Sequence, residues 1–151
     1  MVNERRRLRR LWILAGIAVA AVLVVLSARL LGREDACQAP RDAPAAETRL
    51  MPAGLAFDQI GTVTGVRKDG RHIVVQAVTT KPPDEASVLI QDAVVAAGYR
   101  FVGADSEGVE AEVFFSLGAY AGGRADVRPA PCAGRWDIDL VLLDPEAAAR
   151  R

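Results

Sequence analysis

The clearest structural pattern in the chain is the run VEAEVFFSL at residues 109–117. Apolar side chains occupy every second position of this run, and Glu, Glu, Phe and Ser stand between them. Successive residues of a β-strand point to opposite faces, so the alternation predicts a strand with one buried face and one largely solvated face. The run therefore indicates a sheet that is covered on one side.

A β-hairpin is predicted upstream, with strands at residues 63–68 and 71–79 on either side of Asp69-Gly70. Asp-Gly supplies the two positive-φ positions of a type I′ turn, the preferred connection of a tight hairpin. A turn centred on Asp69-Gly70 places Val66 opposite Ile73. The hairpin would form one side of the same sheet.

A single helix is predicted between the hairpin and the alternating run, at residues 82–97. It begins with Pro-Pro-Asp-Glu, and both proline and acids are favoured in a first helical turn. Gly98 follows it, as glycine often follows the end of a helix. Strands at residues 100–104 and 136–143, and a long loop at residues 118–135 that contains glycine and proline, complete this region.

These elements predict an α+β domain in the order ββαβββ, a small and mainly antiparallel sheet on which one helix packs. One helix covers one face of a sheet. The second face would need the preceding segment, a partner or a twin copy to cover it.

The N-terminal region differs in character, because residues 11–28 contain no charged side chain. Extended to residue 31, the apolar run would span about 31 Å as a helix, enough to cross a bilayer core of about 30 Å. Trp12 and Arg29 lie near its two ends, where such side chains suit the membrane interface. A basic cluster precedes the run and consists of Arg5, Arg6, Arg7, Arg9 and Arg10. By the positive-inside rule, residues 11–31 predict a transmembrane helix with a cytoplasmic N-terminus.

Two alternatives to an uncleaved anchor stay open. A cleaved signal peptide would end near Val25-Leu26-Ser27, although the apolar regions of signal peptides usually run about 7–15 residues. A lipoprotein would be acylated at Cys37, but Glu34-Asp35-Ala36 precede it where a lipobox has an aliphatic residue.

Formal neutrality conceals an uneven distribution of charge. The chain carries 19 Lys+Arg and 19 Asp+Glu, but residues 1–10 carry +4, Arg29 adds +1 and residues 33–151 carry −5. The sequence thus predicts five regions. They are a basic cytoplasmic N-terminus at 1–10, the transmembrane helix at 11–31, an Ala/Pro-rich stalk at 32–56, an extracytoplasmic α+β domain at 57–145 and a tail at 146–151.

The two cysteines, Cys37 and Cys132, would both lie outside the cytoplasm in this topology. Disulfides form and persist in oxidising compartments, so the sequence predicts an intramolecular bridge between them. Two free thiols and pairing between chains are the alternatives. With one histidine and two cysteines the chain has no metal-ligand spacing, and we expect neither a metal nor a cofactor.

A basic cluster surrounds the predicted hairpin turn and consists of Arg67, Lys68, Arg71 and His72. Such a tip on an acidic domain would contact anionic lipid head groups or an acidic polymer of the cell wall. The simpler alternative is a solvated hairpin tip.

Acidic residues gather on the later strands and comprise Asp105, Glu107, Glu110, Glu112, Asp137 and Asp139. Carboxylates that converge on one face hold a divalent cation or serve as an acid–base pair. Their spacing matches no calcium loop, and the simpler alternative is exposed acids on the solvated face of the sheet.

No motif in the chain predicts a catalytic residue. The leading hypothesis is a single-pass, membrane-anchored protein of the cell envelope that binds or scaffolds through its extracytoplasmic domain. The alternatives are a small anchored hydrolase or metal-dependent enzyme that uses the carboxylates, and a regulatory subunit of a membrane complex.

The partners expected from this hypothesis are the lipid bilayer and a membrane or envelope protein or a wall polymer. Nucleic acid is not expected, because the arginine cluster is explained as a topology signal. Gly16 and Ala20 form a small-xxx-small pair, which would allow a homodimer through the transmembrane helix.

Overall fold

The structure is a computed structural model that describes residues 37–149. The predicted transmembrane helix at residues 11–31, with the basic cluster before it, Trp12 and Arg29, lies outside the described residues. Within residues 37–149, no helix has the length and apolar character needed to cross a membrane. The chain divides into two compact units, residues 1–38 and 39–151, and the fold below is that of the second.

The second unit contains six strands and three helices among its described residues. In chain order they are α1 (Ala45–Thr48), β1 (Thr62–Asp69), β2 (His72–Thr79), α2 (Pro83–Ala96), β3 (Arg100–Ser106), β4 (Ala111–Leu117), β5 (Tyr120–Pro129), β6 (Trp136–Leu143) and α3 (Pro145–Ala149). The strands form one sheet in the order β1-β2-β6-β5-β4-β3. Every neighbouring pair is antiparallel, which confirms the α+β class.

The predicted order ββαβββ is one strand short, because β5 lies where a loop was expected at residues 118–135. Ala125 and Val127 are fully buried, and they alternate with polar neighbours as a strand requires. Gly122 and Gly123 do not mark a flexible loop. A side chain at Gly123 would overlap the carbonyl oxygen of Val141 on β6, so glycine permits close approach of the strands here.

The hairpin between β1 and β2 forms, but its register differs from the expected one by two residues. Asp69 lies opposite His72, so the turn consists of Gly70 and Arg71, and Val66 faces Val75. Gly70 has φ +57°, and no residue other than glycine has a positive φ among those described. A turn with a single positive φ at its first position needs glycine there, which is the pattern of a type II′ turn. Val66 is still buried, because a shift of two residues keeps each side chain on its face.

The core lies on one side of the sheet, which we call the covered face. Helix α2 contacts β3, β4 and β5 and buries Ala86, Ile90 and Val94. The segment before β1 packs into the same core through Leu55, Phe57 and Ile60. The strands contribute Val66, Ile73, Val75, Ala77, Ala111, Val113, Phe115, Ala125, Val127, Ile138, Leu140 and Leu142. We call the opposite side the outer face.

Candidate functional site

A row of four carboxylates crosses the outer face on four neighbouring strands. Asp139 of β6 lies opposite Asp126 of β5, and Asp126 lies opposite Glu112 of β4. Glu112 in turn lies opposite Asp105 of β3. Directly opposed residues of antiparallel strands point to the same face, with Cβ atoms about 4.5–5.5 Å apart. These four residues, which we call the carboxylate row, therefore place like charges side by side, an arrangement that costs stability.

The two ends of the carboxylate row differ in their described hydrogen bonds. At the β2 end, Gln76 Nε2 donates a hydrogen bond to Asp139 Oδ1 at 3.2 Å. At the β3 end, Asp105 is exposed on the edge strand. No hydrogen bond or ion pair is described for Asp105 within residues 37–149.

Asp126 is the buried centre of the carboxylate row, with only 4% of its surface exposed. Arg124 and Arg128, two residues away on either side, extend over the same face and are each about half exposed. Arg124 Nε lies 3.2 Å from Oδ2, and an Arg128 nitrogen lies 3.4 Å from Oδ1. The second contact is an ion pair without hydrogen-bond geometry, so Oδ1 has no hydrogen-bond donor among the described residues. The carboxylate of Asp126 therefore interacts with its two arginines more through ion pairing than through hydrogen bonds.

Asp137 adds a fifth carboxylate beside the carboxylate row. It lies on β6, two residues before Asp139 and opposite Arg128 of β5. Burial raises the pKa of its carboxyl above the ordinary value, and the nearby charge of Asp139 raises it further. Negative charge is therefore costly at this part of the outer face.

A groove of about 380 Å³ lies at the β3–β4 end of the carboxylate row. Its charged lining is four acids and one base, namely Asp105, Glu107, Glu110, Glu112 and Arg128. Asp105, Glu107 and Glu110 are exposed, and Glu112 is half-buried. Four of the six acids expected from the sequence to gather here thus share one groove. Within residues 37–149, no three His, Cys, Asp or Glu side chains are grouped so that they could hold a metal ion.

The basic cluster at the hairpin is less concentrated than the sequence indicates. Arg67 and Lys68 are consecutive strand residues and point to opposite faces. Lys68 Nζ donates a hydrogen bond to Asp144 Oδ2 at 2.8 Å. That hydrogen bond is the main reason why the pKa of the Asp144 carboxyl lies below its ordinary value.

The other two members of the basic cluster lie at the turn itself. Arg71 is half-buried in the turn, and its carbonyl oxygen accepts a hydrogen bond from the Asp144 backbone at 2.8 Å. His72 is exposed and lies opposite Asp69. Asp144 and Asp69 therefore offset part of the positive charge at this tip.

The two cysteines are bonded to each other in the structure. Cys37 and Cys132 form a disulfide, and no free cysteine occurs in the described part of the chain. The predicted bridge is confirmed. Of the predicted membrane-interface residues none is described, so their role stays a prediction.

The residues that the sequence did not reveal are Asp126 and its two arginines. They lie in β5, which was expected to be a loop, and the carboxylate row needs β5 to connect Asp139 with Glu112. The alternation of Arg124, Asp126 and Arg128 with Ala125 and Val127 was the available signal.

No protein-family model, curated protein or solved structure matches the chain. The geometry of the outer face is therefore the basis for a functional proposal.

Proposed function

We propose that this chain is a single-pass, membrane-anchored protein of the cell envelope whose extracytoplasmic domain binds or scaffolds another envelope protein. The observation that carries the proposal is the carboxylate row on the outer face. Like charges directly opposite one another destabilise a sheet, and a cationic partner would relieve that repulsion on binding. The proposed ligand is thus a basic segment of a membrane or envelope protein.

Two observations support the proposed location. The apolar run at residues 11–31 and the five arginines before it favour an anchor with a cytoplasmic N-terminus. The Cys37–Cys132 disulfide is typical of an oxidising compartment, which is where that topology would put the domain. Alkaline phosphatase fused after residue 151 should then be active, whereas a fusion after residue 10 should not; the reverse pattern would exclude this topology.

An acidic binding surface is better supported than the basic cluster. Lys68 is engaged by Asp144, while no ion pair is described for Asp105 or Glu112 at the groove within residues 37–149. The groove concentrates four acids around one arginine, which gives a local excess of negative charge. Such a surface attracts cationic partners and makes their association sensitive to salt.

The test removes charge from the carboxylate row without changing shape. The variant Asp105→Asn/Glu112→Gln/Asp139→Asn keeps the size of each side chain and removes three negative charges. The control Asp42→Asn/Asp58→Asn/Asp92→Asn removes the same charge from exposed positions that are not in the carboxylate row.

Full-length protein of each kind is used for affinity capture from membranes, and bound proteins are quantified by mass spectrometry. We expect at least one envelope protein to be captured by the wild type and the control and to be lost, about tenfold or more, with the row variant. Its capture should also fall as salt rises. Identical capture by all three proteins would refute the acidic surface as the binding site.

A further inference from the structure

The two edge strands of the sheet, β1 and β3, differ in whether another segment of the chain bonds to their outward-facing backbone groups. At the β1 edge, the Ala43 amide donates a hydrogen bond to the Val63 carbonyl at 2.7 Å. The Val66 amide donates another to Glu47 Oε2 at 3.2 Å, so the α1 segment occupies this edge. At the β3 edge, no segment among residues 37–149 bonds to the outward-facing backbone groups. An unpaired edge strand is a template for another strand.

The β3 edge is also unusually apolar for an exposed strand. Val102 is 61% exposed and Phe101 is 37% exposed. Val95 of the neighbouring helix α2 is 46% exposed. Edge strands normally carry charged residues along their length to discourage pairing, whereas here an apolar centre is flanked by Arg100 and Asp105.

A bulge at Val102 gives β3 a self-complementary register. Phe101 lies opposite Phe115 and Gly103 lies opposite Phe114, so Val102 is the extra residue. As a result, Arg100 and Asp105 share the outer face although five positions separate them. Phe101 and Ala104 likewise share the covered face.

We propose that β3 pairs edge to edge and antiparallel with β3 of a second copy of this chain. A two-fold axis between Val102 and Gly103 places Arg100 of each copy opposite Asp105 of the other, and Phe101 opposite Ala104. In each of these pairs the two residues lie on the same face of the sheet. In a strand without the bulge, residues an odd number of positions apart lie on opposite faces, so this register would not bring matching residues together. The result is one sheet of twelve strands with both copies of α2 on the same side.

The carboxylate row supplies an independent reason for this partner. The row ends at Asp105, on the free edge, without a donor there to correspond to Gln76 at the other end. In the proposed dimer Arg100 of the second copy occupies that end. The dimer therefore adds a positive charge where the like charges of the row are left uncompensated.

The test exchanges the charges at residues 100 and 105 in the full chain in detergent. Sedimentation velocity over a range of concentrations measures the oligomeric state. Arg100→Glu alone and Asp105→Arg alone each oppose like charges, so each should weaken the dimer about tenfold or more. The double variant Arg100→Glu/Asp105→Arg should restore it. An equimolar mixture of the two single variants should also restore it, as a heterodimer, because opposite charges then meet at both contacts.

Two matched valine substitutions distinguish an effect at the β3 edge from the general effect of adding a charge to the surface. Val102→Lys places two cations at the symmetry axis and should abolish the dimer. Val109→Lys alters an equally exposed valine, 65% exposed, in the turn beyond the strand and should leave the dimer intact. The rescue by mixing also shows that the single variants are folded.

Three results would overturn the proposal. The first is a wild type that stays monomeric throughout. The second is a dimer that survives every β3 substitution and is lost with Gly16→Leu/Ala20→Leu, which would assign it to the transmembrane helix. The third is loss of the dimer in both single variants without rescue in either the double variant or the mixture.

Discussion

Two buried acids, Asp126 and Asp144, have different kinds of partner. Asp126 relies on Arg124 and Arg128 of its own strand, which are half exposed and therefore partly screened by water. Asp144 has closer partners, because Lys68 donates to one oxygen at 2.8 Å and the Glu146 amide donates to the other at 3.0 Å. A carboxylate that accepts hydrogen bonds in its charged form is stabilised in that form.

The first prediction concerns Asp144 and acid. Its folded-state pKa is lowered, so the stability that it contributes is present above the unfolded pKa and is lost as the pH falls through the folded one. Asp144→Asn should lower the free energy of unfolding at pH 7 by about 1–2 kcal/mol, a figure reduced for the exposure of Lys68. The deficit should shrink as the pH falls below about 3.9. Urea unfolding at several pH values measures it, with Asp58→Asn as the control; a deficit that is constant with pH would argue against this role.

The second prediction concerns the buried phenol of Tyr99. Its hydroxyl donates to the Leu143 carbonyl at 2.6 Å, and burial, followed by the charge of Asp144, raises its pKa to about 12. A raised folded pKa gives stability that is complete below the unfolded value, about 10, and is lost as the pH rises toward 12. Tyr99→Phe should cost about 1 kcal/mol at pH 7 and should remove this alkaline dependence. Unfolding at pH 8 to 11 would test it, and parallel pH curves for the two proteins would contradict it.

At the scale of elements, periodicity alone predicts most of this fold. The alternation in residues 109–117 gives β4, and the apolar stripe and proline start of residues 82–97 give α2 within a residue or two. The alternation at residues 124–128 indicates part of β5, but the glycines at 122 and 123 resemble loop residues until the approach of Val141 is known. Periodicity does not give the carboxylate row, which depends on the registers of three consecutive strand pairs, β3–β4, β4–β5 and β5–β6. Local patterns specify elements, whereas the register of a strand pair is set by which residues face the core and by the turn that joins the strands.

The third prediction follows from the close approach at β5. An added Cβ at Gly123 would overlap the Val141 carbonyl oxygen, and φ there is +146°, which side chains rarely adopt. Gly123→Ala should therefore lower the free energy of unfolding by about 2–4 kcal/mol. Gly65→Ala is the control, because the nearest atom to its added Cβ is Gln76 Oε1 at 3.5 Å, an ordinary contact. It should change stability by about 0.5 kcal/mol or less. If thermal unfolding shows equal losses in both variants, the strand does not depend on this glycine.

At the scale of the whole molecule, the net charge of zero is the sum of a basic region and an acidic region that are separate in the sequence. The five arginines before the apolar run make residues 1–10 basic, and residues 33–151 carry −5. Part of that negative charge is concentrated in the carboxylate row and the groove at its end. An acidic surface of this kind would be costly to a small domain, so stabilisation from outside the sheet becomes important. The covalent bridge provides such stabilisation.

The fourth prediction concerns that bridge, Cys37–Cys132. It closes a loop of about 95 residues, and restriction of the unfolded chain by such a loop contributes about 4–5 kcal/mol in the chain-entropy treatment. Cys37→Ser/Cys132→Ser should therefore lower the urea midpoint of the full chain in detergent by about 3 M, with a slope of about 1.5 kcal/mol per M. Because Cys132 is buried, serine itself adds a cost, so the wild type is also measured after reduction.

Reduction removes the bond but keeps the side chains, and it should reproduce most of the shift. The double variant should not respond to the reductant. If the reduced and oxidised wild type unfold at the same urea concentration, the bridge contributes nothing to the stability of this domain. The acidic sheet would then have to be stabilised by its core alone, by the proposed envelope partner, or by the proposed pairing at the β3 edge, and the charge-exchange variants distinguish the last of these.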